Sequence, residues 1–465
     1  MKNKIEAAET FAQYTVNLQY DQIPSEVRKS TKRSILDTIG ITIAASTQGE
    51  GYPELIDLIK DGGGKKESTI LGFGGKVPAW MAAFANGAMA RALMYDDTHD
   101  EAVTHPSSTT VSAALAISER IGKVNGKEFI TAVTLGNDLI SRMGLSVCLT
   151  PRGWRPEWCL LTTHGVFGAT ATCGKLLGLD AGKMQNAFGI ALYESAGTME
   201  AYSAGHSTMI AGMSSGFTAK AAVLSALMAK KGITGAKNSL EGKSGLYNVY
   251  FRGDYNRDIL MNNLGEKFES ANIGIKPWPG VRFTHGYIEA TLKLMREHHI
   301  ASEDINQITV FVAGMAQTLC EPLEVQRKPA TSQDASRSLP YLVAVAATKG
   351  GVIVKDIAPQ ALKESATLQF TRKIIPEFDE RFSISNKLGP GKVEIKLTNG
   401  KSYSMEIETP YGNPLNPITW QDLTDKFRDC VSHSAQSLTS RSIEKMIDMV
   451  DHLEDVEDVS QLVSG

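Results

Sequence analysis

Residues 79–108, AWMAAFANGAMARALMYDDTHDEAVTHPSS, join an apolar run to a cluster of acids and histidines. The run 79–94 is apolar almost all round, which predicts a helix that is buried on every side. The next part, 96–105, holds four acids and two histidines. Because an unpaired charge is costly inside a protein, such a segment lies on the surface or lines a cavity. The apolar flanks favour the cavity, and we expect a functional site there.

Helical periodicity extends from this stretch in both directions. Apolar residues recur at spacings of three and four, which is typical of helices that bury one face. The predicted helices cover residues 4–20, 25–46, 107–122, 127–147, 160–178, 182–197 and 209–231. Small residues run through several of these segments and allow close approach of neighbouring helices. We therefore predict tight helix packing up to about residue 265.

Strand-like patterns begin only after that point. Segments 306–313 and 364–371 are β-like, and 391–408 reads as two alternating runs around Asn399-Gly400, a strong hairpin signal. Beyond the prolines at 410, 414 and 417 the helical pattern returns.

The predicted fold class is therefore mainly α, with two domains. A large all-helical domain covers 1–267, a smaller inserted α+β lid domain covers 268–410, and the C-terminal helices of 411–465 return to the helical domain. A cleft between two domains is a usual place for a small-molecule site.

Composition excludes several classes of partner. The chain is 42% hydrophobic and 21% charged with a net charge of −3, which gives no indication of nucleic-acid or membrane binding. No apolar signal-peptide core follows the first twenty residues, and no uncharged run reaches the roughly 18 residues of a membrane helix. Five scattered cysteines indicate reduced thiols. We expect a soluble, cytoplasmic protein.

Three interpretations apply to the acids and histidines of 96–105. Oxygen and imidazole ligands suit a metal, but their spacing matches no compact zinc or calcium pattern. A solvated acidic loop is the second interpretation. The third, which we favour, is a proton-transfer site in which a histidine moves protons while Thr or Asp orients it or the substrate. The His-Pro-Ser-Ser segment 105–108 also begins a helix, whose free N–H groups can hold a carboxylate.

Six blocks of the chain, in this order, resemble the MmgE/PrpD family. They are VPAWMAAFANGAMARALMYDDTH…THPSS, HGVFGATATCGKLLGLD, LEGKSGLY, RFTHGYIEA, ASRSLPYLVAVA and GNPLNPITWQDLTDKF. The resemblance implies an all-helical domain with a smaller α+β lid, which agrees with the pattern-based prediction.

The resemblance also implies a chemistry. Known members include 2-methylcitrate dehydratase, cis-aconitate decarboxylase and iminodisuccinate epimerase. They use neither metal nor cofactor and transfer a proton next to a carboxylate, through an intermediate whose negative charge needs donors and cations. A homodimer formed through the helical domain is implied as well.

Site residues are carried over from the matching motifs. Asp97 and Thr98 match the family's D-D-T, and His105 matches its H-P-S histidine, which is similar to a proton-transfer residue. Tyr341 in S-L-P-Y matches a tyrosine that faces the same cavity.

Three further residues match at the lid edge and in the helical domain. Arg282 and His285 match R-F-T-H, where an arginine can bind a carboxylate through two hydrogen bonds. His164 in H-G-V-F-G also matches, as a substrate-binding residue or as a histidine that only packs between helices.

Three positions depart from the family pattern. Met94 stands where many members have an aspartate, Cys159 where the pattern places a second histidine, and Ser207 where a lysine reaches the substrate. The neighbouring His206 or the more distant Arg155 can supply the missing charge, or the substrate has fewer carboxylates.

The sequence thus predicts a cofactor-independent lyase or isomerase of small di- or tricarboxylates. Dehydration like that of 2-methylcitrate dehydratase is the most general outcome, with epimerisation and decarboxylation as alternatives. A metal-dependent hydrolase and a non-catalytic binding protein are the competing classes.

Overall fold

The computed structural model describes residues 5–150, 152–153, 155–202, 207–382 and 390–463. The first part of the chain is helical apart from one short pair of strands, β1 (Ser68–Thr69) and β2 (Lys76–Val77). Its helices are α1 (Ala7–Asn17), α2 (Ser25–Gln48), α3 (Tyr52–Asp61), α4 (Ala79–Arg91), α5 (Ser107–Ile121), α6 (Gly126–Cys148), α7 (Leu160–Leu176), α8 (Ala181–Glu194), α9 (Met209–Lys230), α10 (Leu246–Phe251) and α11 (Arg257–Met261).

The second part mixes helices with one sheet. Its helices are α12 (His285–Glu297), α13 (Gly314–Thr318), α14 (Leu323–Gln326), α15 (Ser332–Arg337), α16 (Leu339–Lys349), α17 (Ser365–Phe370), α18 (Trp420–Ser432) and α19 (Ser440–Asp451). Its strands are β3 (Ile305–Val312), β4 (Ile374–Phe378), β5 (Gly391–Leu397) and β6 (Ser402–Ile407). The predicted mainly α class is confirmed.

The sheet has the order β4-β3-β5-β6. Strand β3 pairs parallel with β4 and antiparallel with β5, and β5 forms the predicted hairpin with β6 around Gly400. Helix α12 covers one face, where Tyr287 and Leu294 share an apolar cluster with Ile308 and Val393. This burial gives the small domain its own core.

The predicted strand at 364–371 is wrong. The segment forms helix α17, and the strand begins later, at Ile374. The buried positions are Thr367, Phe370 and Thr371. They are spaced by three and four residues, which is typical of one face of a helix. A short apolar run does not distinguish a strand from a helix until its packing partner is known.

Helices α6 and α7 show the predicted close packing. A Cβ added at Gly168 would lie 2.5 Å from the carbonyl oxygen of Gly136, and one added at Gly136 would lie 2.8 Å from that of Gly168. Real Cβ atoms do not approach backbone that closely, so the two glycines allow the helix axes to come together.

Helix α9 lies inside the helical domain. Among the described helices it alone is long and apolar enough to cross a membrane, but 67% of its apolar window is buried inside the protein. It packs against α4, where the backbone of Gly216 approaches Phe84 and Ala88. Its apolar composition is therefore that of a core helix.

The C-terminal helix α18 packs on α2 of the first part of the chain. The ring of Phe427 lies against Gly40, and a Cβ there would meet the ring at 2.8 Å. The Lys426 ammonium pairs with the buried Asp37 carboxylate at 2.5 Å. These contacts bring the end of the chain back beside the loop after α4.

Candidate active site

A cavity of about 160 Å³ lies beside the loop that follows α4. Its wall combines charged and polar side chains with apolar ones. The polar and charged residues on the wall are Arg91, Thr98, His105, Tyr202, Lys276, Arg282 and Arg337. The apolar side is formed by residues that include Met94, Val103, Trp158, Leu161, Met199 and Phe283. Cys159 also lines the cavity, at the start of α7.

The loop between α4 and α5 is held in a tight, partly strained path. Thr98 exchanges two backbone hydrogen bonds with Gly274, of 2.9 and 2.7 Å, which attach the loop to the second part of the chain. Met94 and Val103 have positive φ angles of 49° and 51°. For a β-branched residue such as Val103 this conformation is unfavourable, and such strain is concentrated at functional sites.

His105 presents an unprotonated nitrogen to the cavity. Its Nδ1 lies 2.7 Å from the carbonyl oxygen of Asp97, and a carbonyl only accepts, so Nδ1 carries the proton. Nε2 is then the free lone pair. Burial, together with the nearby Arg91 charge, lowers the pKa of His105 to about 3, so the imidazole is neutral at physiological pH. This is the protonation state that a general base needs.

Asp97 acts on His105 through its backbone. The Asp97 carboxylate is buried away from the cavity and accepts a 3.2 Å hydrogen bond from the Ser107 N–H at the start of α5. Burial raises the pKa of Asp97 to about 7. The residue therefore ties the loop to α5 and orients the imidazole with its carbonyl group.

Asp96 pairs with two cations that line the cavity. Its Oδ1 lies 2.7 Å from Arg91 Nη1 and 3.5 Å from Lys276 Nζ. Burial alone would raise the pKa of Asp96, but Arg91 and the other positive neighbours outweigh it and the pKa is lowered. Burial lowers the pKa of Lys276 to about 8, against the opposing effect of Asp96. The Lys276 ammonium also donates to the Met94 carbonyl at 2.7 Å.

Arg282 is fixed by a carboxylate and by backbone. Its Nε lies 3.2 Å from both oxygens of Asp100, and its Nη1 donates to the Tyr411 carbonyl at 3.0 Å. Asn413 donates to the same Asp100 carboxylate at 2.8 Å. Asp96 and Asp100 are thus used in ion pairs. Within the described ranges, no three His, Cys, Asp or Glu side chains converge to hold a metal ion.

Besides Asp97, four predicted site residues lie outside the cavity wall. Tyr341 is fully buried and donates to the Asp356 carbonyl at 2.7 Å. His164 packs against the Phe251 ring with centroids 5.2 Å apart. His285 lies behind Arg282, with its Nδ1 3.5 Å from the guanidinium.

Ser207 is the fourth of these residues, and its backbone N–H donates to Asp334 at 3.3 Å. The expectation that Tyr341, His164 and His285 line the cavity is not met, because the core encloses their side chains. Ser207 is only partly buried, so a contact of its side chain with the substrate stays a prediction. His206 lies outside the described residues. His105, Thr98, Cys159, Met94 and Arg282 do come together on the wall.

Sequence reasoning missed Arg91, Tyr202, Lys276 and Arg337 as site residues. Arg91 ends an otherwise apolar helix, and Lys276 lies in the apolar run IGIKPWPG, so each is a charge in a buried context. That context predicts a paired or functional charge. Tyr202 and Arg337 carried no such signal, because only the tertiary structure brings them to the cavity.

Comparison with known families agrees with this geometry. Residues 9–258 match the MmgE/PrpD N-terminal domain, and residues 278–452 match the MmgE/PrpD C-terminal domain. The chain belongs to the MmgE/PrpD family. The resemblance inferred from six sequence blocks is confirmed.

Similar curated proteins cover nearly the whole chain. Cis-aconitate decarboxylase from Aspergillus terreus is 26% identical over 96% of this chain and 94% of its own length. The human cis-aconitate decarboxylase is 24% identical, over 98% of this chain and 93% of its own length. The 2-methylcitrate dehydratase of Salmonella typhimurium is 23% identical, over 84% of this chain and 83% of its own length. These relatives are lyases, so the prediction of a lyase-type enzyme is confirmed at the level of the family.

Proposed function

We propose that this MmgE/PrpD chain is a lyase of a small di- or tricarboxylic acid that transfers a proton at the carbon next to a carboxylate. The observation that carries the proposal is the free Nε2 of His105 in a cavity whose wall also holds four cationic side chains. A base and an excess of positive charge are what the formation of an enolate-like intermediate requires.

Three of the polar groups on the wall, His105, Lys276 and Arg91, take part in this proton transfer. His105 Nε2 takes the proton from carbon, and the Asp97 carbonyl stabilises the imidazolium that forms. Lys276 and Arg91 face the negative charge that develops on the substrate carboxylate. They are held in place by Asp96, so little reorganisation is needed in the transition state.

Decarboxylation is the first of two outcomes that we propose. The apolar side of the cavity supports it. An apolar surface such as that of Met94 and Leu161 destabilises a charged carboxylate but not neutral CO2, so a carboxylate placed there is lost more easily. The C–C bond breaks, its electron pair stays on carbon, and His105 in its protonated form returns a proton there. Binding of a dianion beside His105 favours that protonated form. The similarity to cis-aconitate decarboxylases also supports this outcome.

Dehydration is the second outcome. His105 is unprotonated at neutral pH, and in that form Nε2 takes a proton from carbon. The C–O bond of the substrate hydroxyl then breaks, its electron pair leaves with the oxygen, and the imidazolium returns the proton so that water is released. The 2-methylcitrate dehydratase relative supports it. The two outcomes differ in the molecule released, CO2 or water.

Incubation with a panel of hydroxy-, unsaturated and amino-di- and tricarboxylates in deuterated water tests the proposal. We expect deuterium incorporation or turnover with at least one acid, together with release of CO2 for decarboxylation or a new carbon–carbon double bond for dehydration. His105→Gln should lower the rate by about 10²–10⁴-fold, the usual contribution of a general base.

His452→Gln is the matched control, because His452 is exposed on the far end of α19. Exchange with no acid of the panel between about pH 5 and 9, a window around the titration of histidine, would favour the binding-protein alternative. Full activity of His105→Gln would remove His105 from its role.

A further inference from the structure

Arg337 differs from the other three cations on the cavity wall. Arg91 and Lys276 pair with Asp96, and Arg282 pairs with Asp100. For Arg337, no ion pair or hydrogen bond to its guanidinium is found within the described ranges. The Tyr202 ring lies beside it, with its centroid 5.4 Å from the guanidinium carbon. Burial lowers the pKa of Arg337, but an arginine stays protonated in proteins.

The backbone that carries Arg337 is firmly held. The residue lies at the end of α15, where Val281 N–H donates to the Ser336 carbonyl at 2.9 Å. Gln333, one turn earlier, donates to the Ala92 carbonyl at the end of α4. Ser338 follows and caps α16 through the Tyr341 N–H at 3.0 Å. The guanidinium is therefore presented to the cavity from a fixed position.

Arg337 also lies near the segment that contains position 207. The resemblance implies a substrate-binding lysine there, where this chain has Ser207. The Ser207 N–H donates to Asp334, which is one helical turn before Arg337 in the same helix α15. Arg337 thus brings a positive charge, from helix α15, to the region in which the family's lysine would bind the substrate.

Charge on the wall indicates the class of ligand. Four of the described lining residues are cationic, and none of them is acidic. The carboxylates of Asp96, Asp100 and Asp334 lie behind the wall and offset part of this positive charge. His105 is neutral. A ligand in the cavity therefore meets cationic side chains from different elements, with Arg337 on one and Arg91 and Lys276 on others. Two separated carboxylates suit two separated cationic positions.

We propose that Arg337 binds a carboxylate that the substrate retains, and that the preferred ligand is a dicarboxylate. This inference rests on the proposed function, since it assigns a ligand group in the same cavity. The second carboxylate lies toward Arg91 and Lys276, beside His105. Met94 and Leu161, on the apolar side, offer no side-chain donor to a third carboxylate. A dicarboxylate held in this way agrees with dehydration rather than with decarboxylation, which would place a carboxylate beside those two residues.

The size of the cavity agrees with a small acid. Pockets that enclose drug-sized ligands measure about 300–1,000 Å³, whereas this one measures about 160 Å³. A four- or five-carbon diacid is a compact ligand with two separated charges, which matches a space bounded by cations from different elements.

Equilibrium binding of inert probes to the full chain tests the inference without any turnover. Isothermal titration calorimetry compares methylsuccinate, its monocarboxylate counterpart isobutyrate, and tricarballylate as the tricarboxylate. We expect methylsuccinate to bind more tightly than either. Arg337→Gln should weaken methylsuccinate by roughly ten- to hundredfold, the range for a charge-assisted hydrogen bond, and should leave isobutyrate nearly unchanged.

Two further variants separate binding from structure. Arg337→Lys keeps the charge and should recover part of the methylsuccinate affinity. Arg372→Gln, on an exposed arginine after α17, is the matched control and should bind all three probes as the parent does.

The inference is overturned if Arg337→Gln weakens both probes equally, if it weakens neither, or if the parent chain does not bind methylsuccinate. Tighter binding of tricarballylate would also overturn it. A failure of the proposed lyase chemistry gives a different result, namely no deuterium exchange with any acid while the dependence of diacid binding on Arg337 persists.

Discussion

His105 is partly exposed, whereas His164 and His285 are fully buried, and the three histidines have different surroundings. Burial lowers the pKa of each one, which alone gives no sign of function. His105 has one nitrogen bonded to backbone and the other open to the cavity. His164, in contrast, has no hydrogen-bond partner for either nitrogen within the described ranges and lies among aromatic rings. The direction in which the free lone pair points therefore distinguishes the proton-transfer residue from a packing residue.

His164→Phe tests this distinction through the pH dependence of stability. The folded-state pKa of His164 is about 3, below its ordinary value of 6.5. As pH falls below 6.5 the unfolded chain binds a proton that the folded chain excludes, so the native histidine reduces stability progressively down to about pH 3. We expect the variant to gain about 1.4 kcal/mol over the parent for each pH unit below 6.5, measured by urea unfolding.

At pH 8 the two proteins should differ little, because the imidazole is neutral in both states. A large loss of stability at pH 8, or loss of acid binding in the variant, would instead show that His164 has a polar role.

The sequence predicted part of the site at this scale. The predicted residues that line the cavity include His105, Thr98 and Arg282, which belong to short sequence motifs. Residues of one short motif are close in the sequence, so they stay close in space whatever the fold. Arg337 belongs to a quoted block too, but its relation to the cavity depends on the packing of α15 against α4, hundreds of residues away in the chain. Tyr341 follows Ser338 in the same block and points into the core instead.

Helix α18 carries a buried charge into the helical domain. Lys426 pairs with Asp37 of α2 and donates to the carbonyls of Tyr95 and Lys276, at 3.1 and 2.9 Å. Those two carbonyls belong to the segments that position the cavity wall. Burial raises the pKa of Asp37, against the opposing effect of Lys426. Removal of the ammonium therefore leaves a buried carboxylate without its partner.

Lys426→Met should lower the free energy of unfolding by about 3–5 kcal/mol, the usual effect of breaking a buried ion pair from one side. The double variant Asp37→Leu with Lys426→Met should lose less, because no unpaired charge remains. Chemical unfolding monitored by circular dichroism measures both. Lys445→Met, on an exposed lysine of α19, is the matched control and should change stability little. Equal losses in the single and double variants would contradict the pairing argument.

The α6–α7 contact gives a second prediction for an element. Gly168→Ala places a Cβ 2.4 Å from Ile140 and 2.5 Å from the Gly136 carbonyl, so the helices must separate. We expect a loss of about 1–3 kcal/mol, the range for overpacking, measured as a lower midpoint of thermal unfolding. Gly182→Ala, at the exposed start of α8, should instead stabilise by up to about 1 kcal/mol through helix propensity.

At the scale of the whole molecule, the homodimer implied by the family resemblance stays a prediction. Helix α9 exposes Ile210, Phe217 and Met228, and Phe217 packs on Phe84 of α4 with ring centroids 4.8 Å apart. We expect a second copy of the chain to cover this face. Sedimentation velocity should give twice the chain mass, and Phe217→Glu should shift the protein toward monomer.

Leu415→Glu is the matched control, because Leu415 is exposed in the C-terminal segment, away from α9. A monomeric parent chain would contradict the prediction.

The sequence by itself determined the helical class, the hairpin at Asn399-Gly400 and the family, and it predicted a candidate site at 93–108. These depend on periodicity and on short motifs, which are properties of neighbouring residues. The tertiary structure decided which charges meet. It paired Asp96 and Asp100 with cations, buried Tyr341 and His164 in the core, and brought Arg337 to the cavity, where no ion pair or hydrogen bond to its guanidinium is found among the described residues. Ion pairing and burial depend on contacts between segments that are far apart in the chain, and a local sequence pattern does not predict which of those segments come together.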